Sequence, residues 1–244
     1  MIEVEGLSVE YGAGRRQVLA LEDVSLRVEE GEFVAVVGPS GCGKSTLLFV
    51  LDGLVRPSRG RVSIGGGEIR GIRRDVALIL QDAGLLPWKT VQQNAELTLK
   101  IQGRKGDVGG VLKQLGLAGF ERRYPGELSE GMRRRVGIAR ALALHPRVLL
   151  MDEPMANLDS ITRERIQNLI LELWQRLGFT AVLVTHDIEE AVFLGQRIFV
   201  FTPRPGRVAE VVDNPDMGRV EYRDSEAFRA RVRHLREVLV GSAT

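Results

Sequence analysis

The sequence predicts an α/β fold: a mostly parallel sheet, an antiparallel β region ahead of it, and a helical insertion between two of its strands. Three observations predict this. The apolar runs Phe33-Val34-Ala35-Val36-Val37, Val148-Leu149-Leu150-Met151 and Ala181-Val182-Leu183-Val184 have strand length and no polar alternation, so each reads as a strand covered on both faces. Helical patterns lie between these runs, and strands joined by helical crossovers are parallel. Near the start, Ile2 and Val4, Leu7 and Val9, and Val24, Leu26 and Val28 alternate with polar neighbours at the period of half-buried strands.

Taken in order, residues 2–28 supply the antiparallel strands, and Glu29-Glu30-Gly31-Glu32 turns the chain into the first core strand at 33–37. A glycine-rich stretch then leads into a helix carrying Leu47, Leu48 and Leu51. The run 76–81 is a further strand, followed by a Gly/Pro-containing segment at 82–90 and helical character over 91–100. Residues 103–110 break the pattern, and helical pieces continue to about 143. After the strand at 148–151, residues 161–177 form a long amphipathic helix, 181–184 a strand and 188–194 a helix. Residues 198–201 run into the turn Pro203-Arg204-Pro205-Gly206, from which 208–212 returns as a hairpin partner. Phe228, Val232, Leu235 and Leu239 space a packed terminal helix. The expected organisation is a single domain: a core from about 1–84 and 126–212, a helical insertion at 85–125 extending into the next helix, and a tail at 213–244.

Bulk properties exclude little but bound the answer. The 244 residues suffice for one sizeable core. Thirty-four basic against thirty-two acidic residues leave +2, too balanced for a nucleic-acid-binding surface. Arg15-Arg16, Arg73-Arg74, Arg122-Arg123 and Arg133-Arg134-Arg135 read as solvated faces. The start lacks a basic segment followed by an apolar run, and no apolar stretch has membrane-spanning length, so membrane association is expected only through a partner. The single cysteine, Cys42, forms no internal disulfide and fits a reducing cytoplasm.

The chemistry starts at Gly38-Pro39-Ser40-Gly41-Cys42-Gly43-Lys44-Ser45-Thr46, which fills G-x-x-x-x-G-K-[ST] between a buried strand and an apolar helix. Glycines let successive backbone N–H groups turn toward phosphates at a helix N-terminus, Lys44 adds positive charge, and the Ser45 hydroxyl suits Mg²⁺. This makes the core a P-loop NTPase core, with ATP and Mg²⁺ as expected ligands. Cys42, close to the helix start and Lys44, reads first as a small residue that merely fits, with a reactive thiol as the alternative.

Asp152-Glu153 ends a buried strand at the edge where ligands of parallel sheets collect. Asp152 is expected to hold Mg²⁺ through water, and Glu153 to orient or deprotonate the attacking water. His186 and Gln81 occupy similar strand ends and bring two more polar groups toward one phosphate.

Together these residues resemble the ATP-binding subunits of ABC transporters over about residues 2–212. The resemblance implies that Tyr11 stacks on adenine, that Gln81 is the glutamine loop and contributes to the metal site, and that His186 is the switch histidine. Leu128-Ser129-Glu130-Gly131-Met132 stands where the family has Leu-Ser-Gly-Gly-Gln, and Ala156-Asn157-Leu158-Asp159 follows the second acidic motif. It further implies a dimer, expected to be of two like subunits, in which Ser129, Gly131 and Asp159 act across the interface on the partner's ATP. Glu130 puts a carboxylate and a Cβ where a glycine usually faces the γ-phosphate, which leaves a hydrolysis-impaired regulatory subunit as the alternative to a working ATPase.

Leu85-Leu86-Pro87-Trp88-Lys89-Thr90-Val91, Thr162-Arg163 and Pro205-Gly206-Arg207 look most like importer subunits for nitrate, sulfonates or taurine. In such an importer the chain would sit peripherally on the inner face of the cell membrane, bound to permease subunits and coupled through them to a solute-binding protein. By resemblance the loop at 81–88 docks the permease; Trp88 packed inside the helical insertion is the competing possibility. A soluble nucleotide kinase or GTPase has no place for residues 128–132, and a non-transport ABC ATPase would carry paired ATPase units or a long coiled-coil insertion.

Overall fold

The computed structural model describes residues 1–12 and 17–242, so Arg15-Arg16 lies outside the described residues. Strands β1 (Ile2–Tyr11) and β2 (Val18–Val28) lead to β3 (Phe33–Val37) and helix α1 (Lys44–Leu51). Strands β4 (Arg59–Ile64), β5 (Gly67–Glu68) and β6 (Val76–Ile79) follow, then helices α2 (Val91–Ala95), α3 (Leu97–Ile101), α4 (Val108–Gln114) and α5 (Glu130–Leu142). The second half reads β7 (Val148–Asp152), α6 (Ser160–Leu177), β8 (Thr180–Thr185), α7 (Ile188–Leu194), β9 (Arg197–Phe201), β10 (Val208–Asp213) and α8 (Glu226–Gly241).

The core sheet has the order β10-β9-β3-β8-β7-β6, parallel throughout except for β10, which turns back on β9. Its parallel strands bury both faces, which is why they are apolar without alternation. Phe33, Ala35 and Val37 on β3, Leu149 and Met151 on β7, and Ala181 and Leu183 on β8 join the core on the helical side. Their neighbours Val34, Val36, Val148, Leu150, Val182 and Val184 join a second core under the antiparallel sheet. Each fully buried Val or Leu contributes roughly 1.5–3 kcal/mol. Helix α1 lies within this second core, with Leu47, Leu48, Val50 and Leu51 buried.

The antiparallel sheet, β2-β1-β4-β5, is larger than the sequence suggests. The alternating runs 2–4 and 7–9 form one strand whose register shifts between Val4 and Leu7, and β4 pairs along its other edge. β4 hides from sequence reading because its first three residues, Arg59, Gly60 and Arg61, are exposed, and only Val62 and Ile64 reach the core.

A second correction concerns residues 103–110, expected as a break. Helix α4 starts at Val108 and runs through Gly109 and Gly110. The Asp107 carboxylate accepts from the Gly110 N–H (2.8 Å), and Val108 and Leu112 anchor the helix in the core, which offsets the helix penalty of two glycines.

Candidate functional site

The five parallel strands deliver their C-terminal ends to one edge of the sheet. β3 opens into the phosphate-loop motif, whose Gly43 caps α1 with φ +105°. A Cβ there would lie 2.6 Å from a Leu21 methyl and 2.7 Å from the Ala20 carbonyl oxygen, so both backbone conformation and space require glycine. Lys44 is buried, and its ammonium donates to the carbonyls of Gly38 (2.7 Å) and Pro39 (3.0 Å). Ser45 donates from its hydroxyl to Asp152 Oδ1 at 2.9 Å, so a hydroxyl and a carboxylate oxygen from two elements meet at the loop. Burial pushes the Asp152 carboxyl up, and the Ser45 hydrogen bond opposes it.

Ser40, Gly41, Gly43, Lys44, Ser45 and Thr46 line one open cleft together with Tyr11, Gln81 and Glu153. Tyr11 is 40% exposed and its hydroxyl lies 3.4 Å from Thr46 Oγ1, which places the ring at the mouth of the cleft. A second cleft shares Gln81 and Glu153 and continues to His186, Asp187 and Glu190. Between them, Glu153 Oε2 lies 3.0 Å from His186 Nδ1. Glu153 holds φ +43°, a left-handed conformation fixed by its N–H donating to the Val184 carbonyl on β8 (3.0 Å). Strain of this kind at a non-glycine residue is typical of functional positions.

The motif reading assigns no role at the site to two residues near this pair. Glu190 is fully enclosed on α7, accepts from the Thr185 hydroxyl, and is driven by burial up to a pKa of about 8. Arg163 on α6 bridges Asp187 (3.1 Å) and the Leu158 carbonyl (3.1 Å), tying the loop after β7 to the loop after β8. Asn157 in that loop has φ +64°, a left-handed conformation that asparagine tolerates better than most residues.

Ser129, Gly131 and Asp159 do not line either cleft. Ser129 caps α5, accepting from the Met132 N–H (3.3 Å), and Asp159 caps α6, accepting from the Thr162 N–H (2.9 Å); both are exposed. Glu130 turns back along its own helix: its carboxylate bonds Arg133 and lies 3.3 Å from Nε of the buried Arg134. Its charge is therefore matched within the helix.

The reactive-thiol alternative for Cys42 is overturned, and the small residue that merely fits stands. The side chain is 1% exposed, and burial pushes its thiol up despite the nearby Lys44. The competing placement for Trp88 is overturned as well: it is 70% exposed instead of packed in the helical insertion.

Residues 21–156 match the family model described as ABC transporter. The chain belongs to the ABC transporter family. It is 44% identical over 212 residues to the nitrate import ATP-binding protein NrtD of Synechocystis sp., covering 85% of this chain and 80% of the relative. It is 45% identical over 215 residues to the taurine import ATP-binding protein TauB of Yersinia pestis bv. Antiqua, covering 86% and 83%. Among solved structures, the ATP-binding cassette MJ0796 in a dimeric, post-hydrolysis state bound to ADP and Pi superposes with a TM-score of 0.77 at 35% identity, covering 87% of this chain and 98% of that one. A second dimeric structure of MJ0796 gives a TM-score of 0.78. The family-model match takes in the phosphate loop, Gln81, Asp152 and Glu153. Among the described residues, no helix is long and apolar enough to cross a membrane.

Proposed function

We propose that this ABC-family chain is the ATP-hydrolysing subunit of a membrane importer for a small anionic or zwitterionic solute of the nitrate, sulfonate or taurine kind. The observation that carries this reading is the meeting of the 38–46 loop and Glu153 in one cleft, with Glu153 held against His186. The importer assignment is supported by the identity to NrtD and TauB over most of the chain.

The chemistry follows from the groups present. Backbone N–H groups of residues 40–46 and the Lys44 ammonium bind the phosphate chain, and Tyr11 takes the base. The Lys44 ammonium exchanges the Gly38 and Pro39 carbonyls for phosphate oxygens. Ser45 and Asp152, adjacent oxygen donors, fit Mg²⁺, with Gln81 beside them; the ion would supply charge neutralisation for the phosphates. Glu153 accepts the proton of the attacking water or orients it in line, a role worth roughly 10²–10⁴ in rate. His186, held by Glu153, faces the γ-phosphate and holds the geometry of the attack.

Two copies face each other, as in the dimeric MJ0796 structures, each offering Ser129, Gly131 and Asp159 to the nucleotide on its partner. The exposed caps of α5 and α6 suit this role, since a helix N-terminus favours an anion. The exposed Trp88 supports docking of permease subunits at the cytoplasmic face of the membrane, with a solute-binding protein acting through them. The test is steady-state Mg²⁺-ATP hydrolysis against protein concentration, with Glu153→Gln as control. Turnover that rises more than linearly and disappears in the variant supports the reading; no turnover even with permease supplied refutes it.

A further inference from the structure

Four of the five parallel strand ends have a role in the reading above: β3 the phosphate loop, β6 Gln81, β7 Asp152 and Glu153, β8 His186. The fifth, β9, pairs parallel to β3 on the other side of the phosphate loop. It runs into the turn at residues 202–207, and Arg204 of that turn lines the same cleft as Lys44, Ser45 and Glu153. We propose that Arg204 is a further nucleotide-binding residue, a phosphate-chain contact delivered by the end of β9; this rests on the reading of the cleft as an ATP site.

Three observations support it. First, the turn is hydrogen-bonded to β2 and packs against the phosphate loop. Gly206 donates to the Ala20 carbonyl (2.9 Å) and accepts from the Glu22 N–H (3.0 Å). It approaches the loop so closely that a Cβ at this position would lie 2.0 Å from the Cys42 carbonyl oxygen. Thr202 closes the turn, its N–H donating to the Arg207 carbonyl (3.0 Å) and its hydroxyl accepting from the Arg207 N–H (3.0 Å).

Second, the described lining of the cleft carries little positive charge. Among its described lining residues the cations are Lys44 and Arg204, against the carboxylate of Glu153. Among the described lining residues the polyanionic phosphate chain therefore has two cationic side chains available, and only Lys44 belongs to the phosphate-loop motif.

Third, the two neighbouring arginines of the turn have different environments. Arg207 is engaged, its guanidinium 2.6 Å from Glu22. Arg204 is exposed and has no hydrogen-bond or ion-pair partner among the described residues. A planar guanidinium free of protein acceptors is suited to phosphate oxygens.

The test is equilibrium titration of the full chain with the fluorescent nucleotide mant-ATP, comparing wild type, Arg204→Ala, Arg204→Lys, Arg207→Ala and Lys44→Ala, with thermal melts to verify folding. The expected result is a roughly fivefold rise in Kd for Arg204→Ala, partly restored in Arg204→Lys and absent in Arg207→Ala. Wild-type affinity in Arg204→Ala while Lys44→Ala loses binding would overturn the inference and leave the ATP site standing. Absence of saturable binding by the wild type would overturn the ATP-site reading itself.

Discussion

Glu153 Oε2 sits 3.0 Å from His186 Nδ1, a contact that joins the end of β7 to the end of β8 across 33 residues of sequence. The two strands are adjacent in the sheet, and the left-handed backbone of Glu153 is fixed by the β8 carbonyl of Val184. Carboxylate and imidazole therefore act as one unit, and their substitutions should not add. Glu153→Gln and His186→Ala are each expected to lower kcat by at least about a hundredfold, with the double variant little worse than the weaker single one. Single-turnover hydrolysis measures this; independent, multiplicative losses would refute coupling.

Glu190 makes stability depend on pH. Its folded pKa of about 8 lies above the ordinary 4.5, so the folded protein keeps a proton that the unfolded chain releases. The contribution is complete below about pH 4.5 and is lost as pH rises through about 8. Asp52, raised by burial to about 6, acts in the same direction between about pH 4 and 6. Glu190→Gln keeps a neutral partner for Thr185 and is expected to raise Tm by at least about 3 °C at pH 8.5 while leaving it nearly unchanged at pH 4.5. An equal shift at both pH values would count against a protonated Glu190.

Glu130 brings a carboxylate into the 128–132 segment, but that carboxylate is spent on Arg133 and Arg134. Glu130→Ala is expected to change ATP turnover by less than about threefold. It should lower stability by about 1 kcal/mol, because Arg134, 3% exposed, loses its acidic neighbour. Chemical denaturation and an ATPase assay on the same preparation read both effects; a large gain in turnover would mean that Glu130 restrains closure.

Cys42 should resist thiol reagents. With the side chain 1% exposed and burial pushing its thiol up, maleimide at pH 7.5 is expected to label the native chain at least about tenfold more slowly than the chain in denaturant. Mass spectrometry against time checks this, and rapid native labelling would show the loop opening on its own.

Trp88, 70% exposed at the end of the 81–88 loop, offers a large apolar contact that the chain itself leaves uncovered. Trp88→Ala is expected to leave basal ATP hydrolysis intact and to weaken co-purification with the permease by about tenfold or more. Unchanged assembly would place the docking contact elsewhere.

What the sequence determined by itself was local. The phosphate loop is legible because close backbone approach demands glycine at fixed spacing, and the core strands because burial on both faces removes alternation. Helix α6 is legible because its apolar residues Ile166, Ile170 and Leu173 keep a helical period along one face. Tertiary structure alone decided what depends on distant partners. Strand β4 exists through pairing with β1, α4 overrides its glycines because Asp107 caps it, and the direction of Glu130 is set by two arginines one turn on. The approach of Arg204 to the cleft has the same origin: the turn after β9 packs onto a loop more than 160 residues earlier, a contact no local pattern encodes.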